Sequence, residues 1–336
     1  MHLHKLGLSM SYQLYRVKIR PDSAFVTALA ADTLFGHVCW AIRHQFGETK
    51  LNELLTGYTE DQPFLVVGQP IPENKLPRPH LPLEMLGFDL SDASKRKQIK
   101  KRKWIKFEEG LLKASCQTWG QYATSDFDLT DENHHSQYEW QVENTRTHNG
   151  LSRITGSTGD AEEGFSPYQR KLIWFHPKAV FDCYIVLDES RFSIQEFTAV
   201  FEQIGAFGYG KEASSGLGKF TLLSIDACDF TTKSEHNAYL TLGPCLPQGG
   251  QWKPRDCYYT TTVKFGRHGA EAVYMGSPFK NPVLMAETGS VFTPQSMSSK
   301  LFIGRGVTGI SKTIQQTVHQ GYAPVLSVQI EQGAVR

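Results

Sequence analysis

The chain has 336 residues, 40% of them hydrophobic, with 35 basic and 34 acidic side chains and a formal net charge of +1. That length is enough for two domains with separate cores, and the balance is less basic than a free-standing nucleic-acid binder often shows, which does not exclude RNA. RNA contact would rest on segregated charge, which leaves other surfaces for protein partners. No apolar run reaches membrane length and Met1-His2-Leu3-His4-Lys5 lacks a signal-peptide layout, so the expectation is a cytoplasmic protein without membrane contact. The six cysteines form no C-x-x-C pair and read as reduced thiols, not as a disulfide frame or a zinc site.

Tyr15, Val17 and Ile19 alternate with Arg16, Lys18 and Arg20, a strand with one apolar and one basic face. Asp32 suits the N-cap of a helix reaching about Phe46, with Leu34, Phe35, Val38, Ile42 and Phe46 on one face and Gly47 as its stop. His37 and His44 lie on this helix, and neither has a sequence-evident acid or base partner. Phe64 to Val67 is a short strand, followed by the proline-rich stretch from Pro70 to Pro82. Residues 95–106 hold eight basic side chains in twelve, among them Lys101 and Arg102, and close on Trp104. Two readings stand: a solvated, mobile charge run, or an RNA contact with a stacking Trp. Asp126 to Glu132 is acidic, and the adjacent His134 and His135 complete no metal-ligand spacing. Val142 to Phe165 is polar and Gly/Thr-rich, with Arg146, His148, Asn149, Arg153, Thr155, Ser157 and Thr158; Arg153 can meet RNA or pair with Glu143 or Asp160.

The second half repeats the strand–helix–strand pattern. Phe181, Cys183, Ile185 and Leu187 alternate. Ser193 to Glu196 is a capping box, and Phe197, Val200, Phe201 and Ile204 form a helical stripe. Ile204 to Phe220 then packs five glycines with Lys211, Ser214, Ser215, Gly216, Gly218 and Lys219 between helix and strand. It is not a mononucleotide loop, since Ala213 and Phe220 stand where Gly and Ser/Thr are required. Nor is it a dinucleotide fingerprint, because the helix precedes the loop and the strand follows it. A helix C-cap with a turn remains, or a loop whose N–H groups, hydroxyls and lysines hold RNA phosphates. Lys219 to Ile225, Tyr258 to Phe265 and Ser327 to Ile330 are further strands. Lys280, Ser290 and Arg305 sit in loops that can line the same groove or simply turn.

The Gly-rich loop resembles the signature loop of the CRISPR-associated RAMP proteins. Further motifs occur in order: Ala31-Asp32-Thr33-Leu34-Phe35-Gly36, His148 to Gly156, Gly289-Ser290-Val291-Phe292, and Gln320-Gly321-Tyr322-Ala323-Pro324. Together they resemble the fourth Csm subunit of type III-A effector complexes over nearly the whole chain. The resemblance implies an α+β fold of tandem ferredoxin-like (RRM-like) domains with inserted loops and hairpins, divided here as 1–170 and 171–336. It implies a non-catalytic subunit, without cofactor or metal, that grips the crRNA 5′ handle. Its partners would be the large signalling subunit, of polymerase/cyclase type, and a neighbouring RAMP backbone subunit. The segment around Asn149 and Arg153 corresponds to a hairpin-like insertion against the guide RNA. Two other readings stand beside this one: a metal-independent endoribonuclease that processes precursor crRNA, and a protein-only adaptor.

Overall fold

A computed structural model of the chain describes residues 11–108, 110–126, 139–151, 153, 156, 167–230 and 233–331. In chain order these residues form β1 (Tyr12–Pro21), α1 (Ala31–Leu55), β2 (Leu65–Val67), β3 (Ile71–Pro72), β4 (Lys75–Pro77), α2 (Ala93–Lys101), β5 (Trp104–Lys106) and β6 (Ala123–Thr124). The hairpin strands β7 (Gln141–His148) and β8 (Tyr168–Phe175) follow, then β9 (Phe181–Asp188), α3 (Ile194–Phe207) and β10 (Phe220–Cys228). The remainder is β11 (Ala238–Thr241), β12 (Thr261–Lys264), β13 (Val283–Ala286), β14 (Val291–Phe292), β15 (Phe302–Gly304) and β16 (Tyr322–Val328).

The first sheet has the order β10-β1-β9-β2, with every neighbouring pair antiparallel, and β3 adds to β9. With α1 and α3 as the crossovers, this is the split βαβ plan of a ferredoxin-like unit. Val17 and Ile19 are fully buried, as the alternation requires. β9, which lies between β1 and β2, is buried at every residue. The capping box forms as read: Ser193 Oγ accepts from the Glu196 N–H, and the Glu196 carboxylate accepts from the Ser193 N–H. Phe197, Val200, Phe201 and Ile204 are the buried stripe of α3.

The pairing corrects the division at 170/171. β1 belongs between β9 and β10, so residues 12–228 form one unit with a long insertion between β2 and β9, and a cut at 170 would part strands that share hydrogen bonds. The second sheet, β14-β11-β16-β15, carries no α-helix among the described residues, so the ferredoxin plan is met once rather than twice. Two features of α1 also differ from expectation. Its N-cap is Ala30, and Asp32 sits in the first turn. Gly47 breaks the helix at φ 90°, but the helix resumes and buries Leu54.

The two sheets share one core. A single cluster joins Val17, Val66 and Ile185 of the first sheet to Leu240, Tyr322 and Leu326 of the second. The fully buried Gln320 amide accepts from the Val67 N–H at 2.7 Å and donates to the Val67 carbonyl at 2.8 Å, closing the open edge of β2. Tyr322 donates to the Tyr58 carbonyl beside it at 2.8 Å. No helix among the described residues is long and apolar enough to cross a membrane.

Gln320→Leu keeps the volume but leaves both Val67 groups buried without partners. It should cost about 2–4 kcal/mol, read as a lower urea midpoint at unchanged slope. A wild-type midpoint would show that water or a shifted strand replaces the amide.

Candidate nucleic-acid interface

Helix α3 ends where Gly208 takes φ 111°, a value closed to side-chain-bearing residues. Tyr209 then turns inward and is fully buried. Its hydroxyl donates to the Ala28 carbonyl at 2.9 Å and accepts from the Ala30 N–H at 3.0 Å, while its own N–H donates to the Gly218 carbonyl at 2.8 Å. The Gly210 N–H donates to His37 Nε2 at 2.9 Å, and the imidazole lies on the Tyr209 ring with centroids 5.0 Å apart. Burial holds His37 neutral, with its pKa lowered to about 4. The loop is therefore fastened to the start of α1 and the segment before it.

This changes what the loop offers. The Lys211 N–H goes to Thr27 Oγ1 and the Lys219 N–H to Ser23 Oγ. Those of Ser215, Gly216, Leu217 and Gly218 go to carbonyls of Glu212, Ala213, Glu212 and Ala24. The expected cradle of backbone N–H groups is thus largely spent on the protein itself. Gly218 is buried, and a Cβ there would overlap the Tyr209 carbonyl oxygen, so this glycine answers to the chain's own backbone and not to RNA. Gly216 faces open space at φ 81°. What the loop presents outward is Lys211, Ser214, Ser215 and Lys219, all exposed, and neither lysine makes an ion pair among the described residues.

Glu212 turns the other way. Its carboxylate holds Arg170 at 3.0 Å, and Arg170 is on β8. The β7–β8 hairpin is thereby joined to the loop. On one face of the hairpin, Arg146 lies over the Trp174 ring at 5.8 Å and Arg170 over Tyr168 at 5.7 Å, and His148 stacks on Tyr168 at 19°. Tyr168 and Trp174 are 50% and 40% exposed, far more than core aromatics, although the arginines and His148 lie over their rings. Asn149 and Arg153 are exposed beyond the end of β7. Reading the polar segment from 142 to 165 finds Asn149 and Arg153 but misses Tyr168, Arg170 and Trp174. The signal available was the alternation from Tyr168 to Trp174, register-paired to 142–148.

Other candidates separate. Ser290 is fully buried; its Oγ donates to the Glu287 carbonyl and its N–H to Thr241 Oγ1, so it is structural and not an RNA contact. Trp104 is half-buried with its indole N–H on Asp126 Oδ1 at 2.6 Å, which fixes the orientation of its ring. The basic run is not a loose tail. It forms α2, capped by Asp92, and β5 between β4 and β6, with Ile99 and Ile105 buried. Lys101 stays exposed and Arg102 half-buried. The basic face of β1 is neutralised: Arg16 pairs with Asp226, Lys18 with Glu73 and Asp182, and Arg20 with Asp22. Arg305 is exposed at the end of β15, and Lys280 is half-buried near α1. His44 pairs with Glu271 at 3.3 Å. His134, His135, Thr155, Ser157 and Thr158 lie outside the described residues.

No family model matches the chain, and no curated protein matches it by sequence. Solved structures do match. The Csm1–Csm4 cassette in complex with pppApA contains a chain at TM-score 0.56 and 14% identity, covering 96% of this chain and 100% of that one. The same cassette with AMPPNP gives 0.56 and 15% over the same shares. The Csm3–Csm4 subcomplex of the type III-A CRISPR-Cas interference complex gives 0.58 and 13%, over 94% and 99%. The chain is similar in fold to Csm4 over 94–96% of its length, as the ordered motifs imply.

The pinning of the loop sets two expectations. Gly218→Ala should destabilise by about 3 kcal/mol or more, through overlap with backbone, and Gly216→Ala by about 1 kcal/mol, through its left-handed backbone alone. Thermal melting of the two variants checks the order. For His37 the folded pKa lies below the unfolded one, so the folded chain binds fewer protons between them. Its contribution is complete above about pH 6.5 and lost as pH falls toward 4, about 3 kcal/mol in all. His319, lowered to about 4 as well, titrates in the same window. The readout is therefore the difference: His37→Gln, whose amide oxygen can still accept from Gly210, should melt with a shallower pH dependence than wild type between pH 7 and 4.

Proposed function

We propose that this chain is the non-catalytic guide-RNA-binding subunit of a cytoplasmic type III-A CRISPR effector complex, acting in antiviral defence. It grips the crRNA 5′ handle and docks the large signalling subunit and a neighbouring RAMP backbone subunit. One observation carries the reading: a fold similar to Csm4 over the whole chain presents an exposed two-lysine loop tied by an ion pair to an arginine–aromatic hairpin. In this reading Lys211 and Lys219 meet phosphates, with Ser214 and Ser215 donating hydroxyls. Arg146 adds charge, and splayed bases stack on Trp174 and Tyr168. Asn149 and Arg153 extend the contact along the strand.

A specific contact favours the ribonuclease reading enough to test it: His37 and Tyr209 touch beside the Gly-rich loop. Against it, His37 Nε2 already accepts from Gly210, and the Tyr209 hydroxyl is buried, hydrogen-bonded and pushed well above its ordinary pKa by burial. Neither atom is free to move a substrate proton.

Titration of labelled repeat RNA at several salt concentrations tests the proposal. Lys211→Ala and Lys219→Ala should each reduce the salt slope by about 0.7. Trp174→Ala should weaken binding by about 1–3 kcal/mol and leave the slope unchanged. Salt-independent or absent binding would favour the protein-only adaptor. RNA cleavage lost in His37→Ala would establish the enzyme instead.

A further inference from the structure

The arm formed by β12, β13 and the chain between them is built inside out. Past Lys264 and before Val283 its two chains stay paired, with Arg267 bridging Phe279 and the Lys280 N–H donating to the Gly266 carbonyl. Alternate residues of paired strands face opposite ways, and here the polar ones face the protein. Lys264 pairs with Asp32 at the start of α1, His268 is buried against Ser311 Oγ at 2.7 Å, Gly269 lies against the Trp40 indole, and Lys280 is half-buried. The apolar ones face away. Val263 and its register partner Leu284 are 46% and 58% exposed, and Phe265 and Phe279 are 77% and 64% exposed. Thr261 and Pro282 complete this outer face. Its one charge is Arg267, which lies 5.6 Å over the Phe279 ring and makes no ion pair among the described residues.

Such an arm leaves apolar surface in water unless a partner covers it. At the roughly 150–250 Å² that an aromatic residue can bury, the two phenylalanines alone leave about 300 Å² open, the size of patch that marks an interaction site. The face has the composition of an interface centre, with aromatics and arginine present and lysine absent. It also selects among occupants. Single-stranded RNA needs a line of cations beside its stacking rings, and this face sets one cation among the aliphatic side chains of Val263, Pro282 and Leu284. A second copy docked face to face would bring another arginine to Arg267 and no carboxylate. A protein surface that is apolar and carries a carboxylate suits both the rings and the guanidinium.

In the functional reading above, a backbone neighbour continues the RNA path and so meets the chain beside its exposed lysines, not on a face with one cation. Resting on that reading, we propose that the outer face of the β12–β13 arm, centred on Phe265, Arg267 and Phe279, docks the large signalling subunit through an apolar surface bearing a carboxylate.

The test titrates the full chain with the purified large signalling subunit and, separately, with the backbone subunit, and follows RNA affinity and sedimentation in parallel. Phe265→Ser/Phe279→Ser should weaken binding of the large subunit by about thirtyfold or more, the loss expected of buried aromatic anchors, with RNA affinity unchanged. Arg267→Glu, which keeps both rings and opposes the carboxylate, should weaken it by about tenfold. Wild-type affinity for the large subunit in both variants overturns the proposal and leaves the proposed RNA binding standing. The same affinity with a loss of RNA makes the face a stacking platform, with a loss of wild-type dimer a self-association surface, and with a loss of the backbone subunit that subunit's dock; each overturns the proposal. Should the double variant unfold, Arg267→Glu decides. No binding of the large subunit by wild type removes this proposal together with the docking part of the proposed function, and the RNA titration then judges the rest of that function by itself.

Discussion

The structure depends on one pairing. β1, at the start of the described chain, hydrogen-bonds on one side to β9 and on the other to β10. The chain between β3 and β9 must therefore leave the sheet and return to it, and it does so as the small sheet β4-β5-β6, helix α2 and the β7–β8 hairpin. Closing so long a loop costs entropy only logarithmically in its length, so a deeply buried three-strand centre can hold it shut. The same closure delivers the hairpin to the Gly-rich loop. β8 leads directly into β9, Ile173 bridges to Phe25, and Arg170 reaches Glu212.

The Gly-rich loop answers first to that architecture. Its glycines let the chain turn sharply enough for Tyr209 to enter the core and for Gly218 to lie against the Tyr209 backbone. Most of its N–H groups stabilise this turn, and recognition falls to side chains that the turn throws outward. A rigid loop that spends its backbone on itself pre-organises its lysines, so little order remains to be imposed when a ligand arrives.

The legible features were local ones. The alternation of β1, the Ser193–Glu196 capping box and the stripe on α3 depend on residues a few positions apart, and all form as the pattern requires. The topology was illegible because β1 is one strand whose partners lie more than 160 residues away, and alternation says nothing of which strand sits alongside. The candidate site divided the same way. Lys211 and Lys219 were visible as exposed charge. The His37–Gly210 hydrogen bond spans 173 residues, and no local motif announces it. Ser290 looked like a turn hydroxyl beside Gly289, but burial under Thr241 decides its role. The Asp126 that holds the Trp104 N–H lies 22 residues on, and no local motif announces that pairing either.

The ion pairs along β1 acquire another meaning when the chain is considered as it is made. The strand is complete early, but its second neighbour, β10, ends at Cys228. At ordinary synthesis rates that is a wait of about 10–40 s. A bare apolar strand exposed that long would recruit other unpaired edges. Arg16, Lys18 and Arg20 place like charge at every second position, which repels another copy of the same strand. Asp182 and Asp226, which neutralise Lys18 and Arg16, arrive on β9 and β10, the strands that belong there. The charges that keep nascent β1 apart from its copies thus become, on docking, the mark of its correct partners.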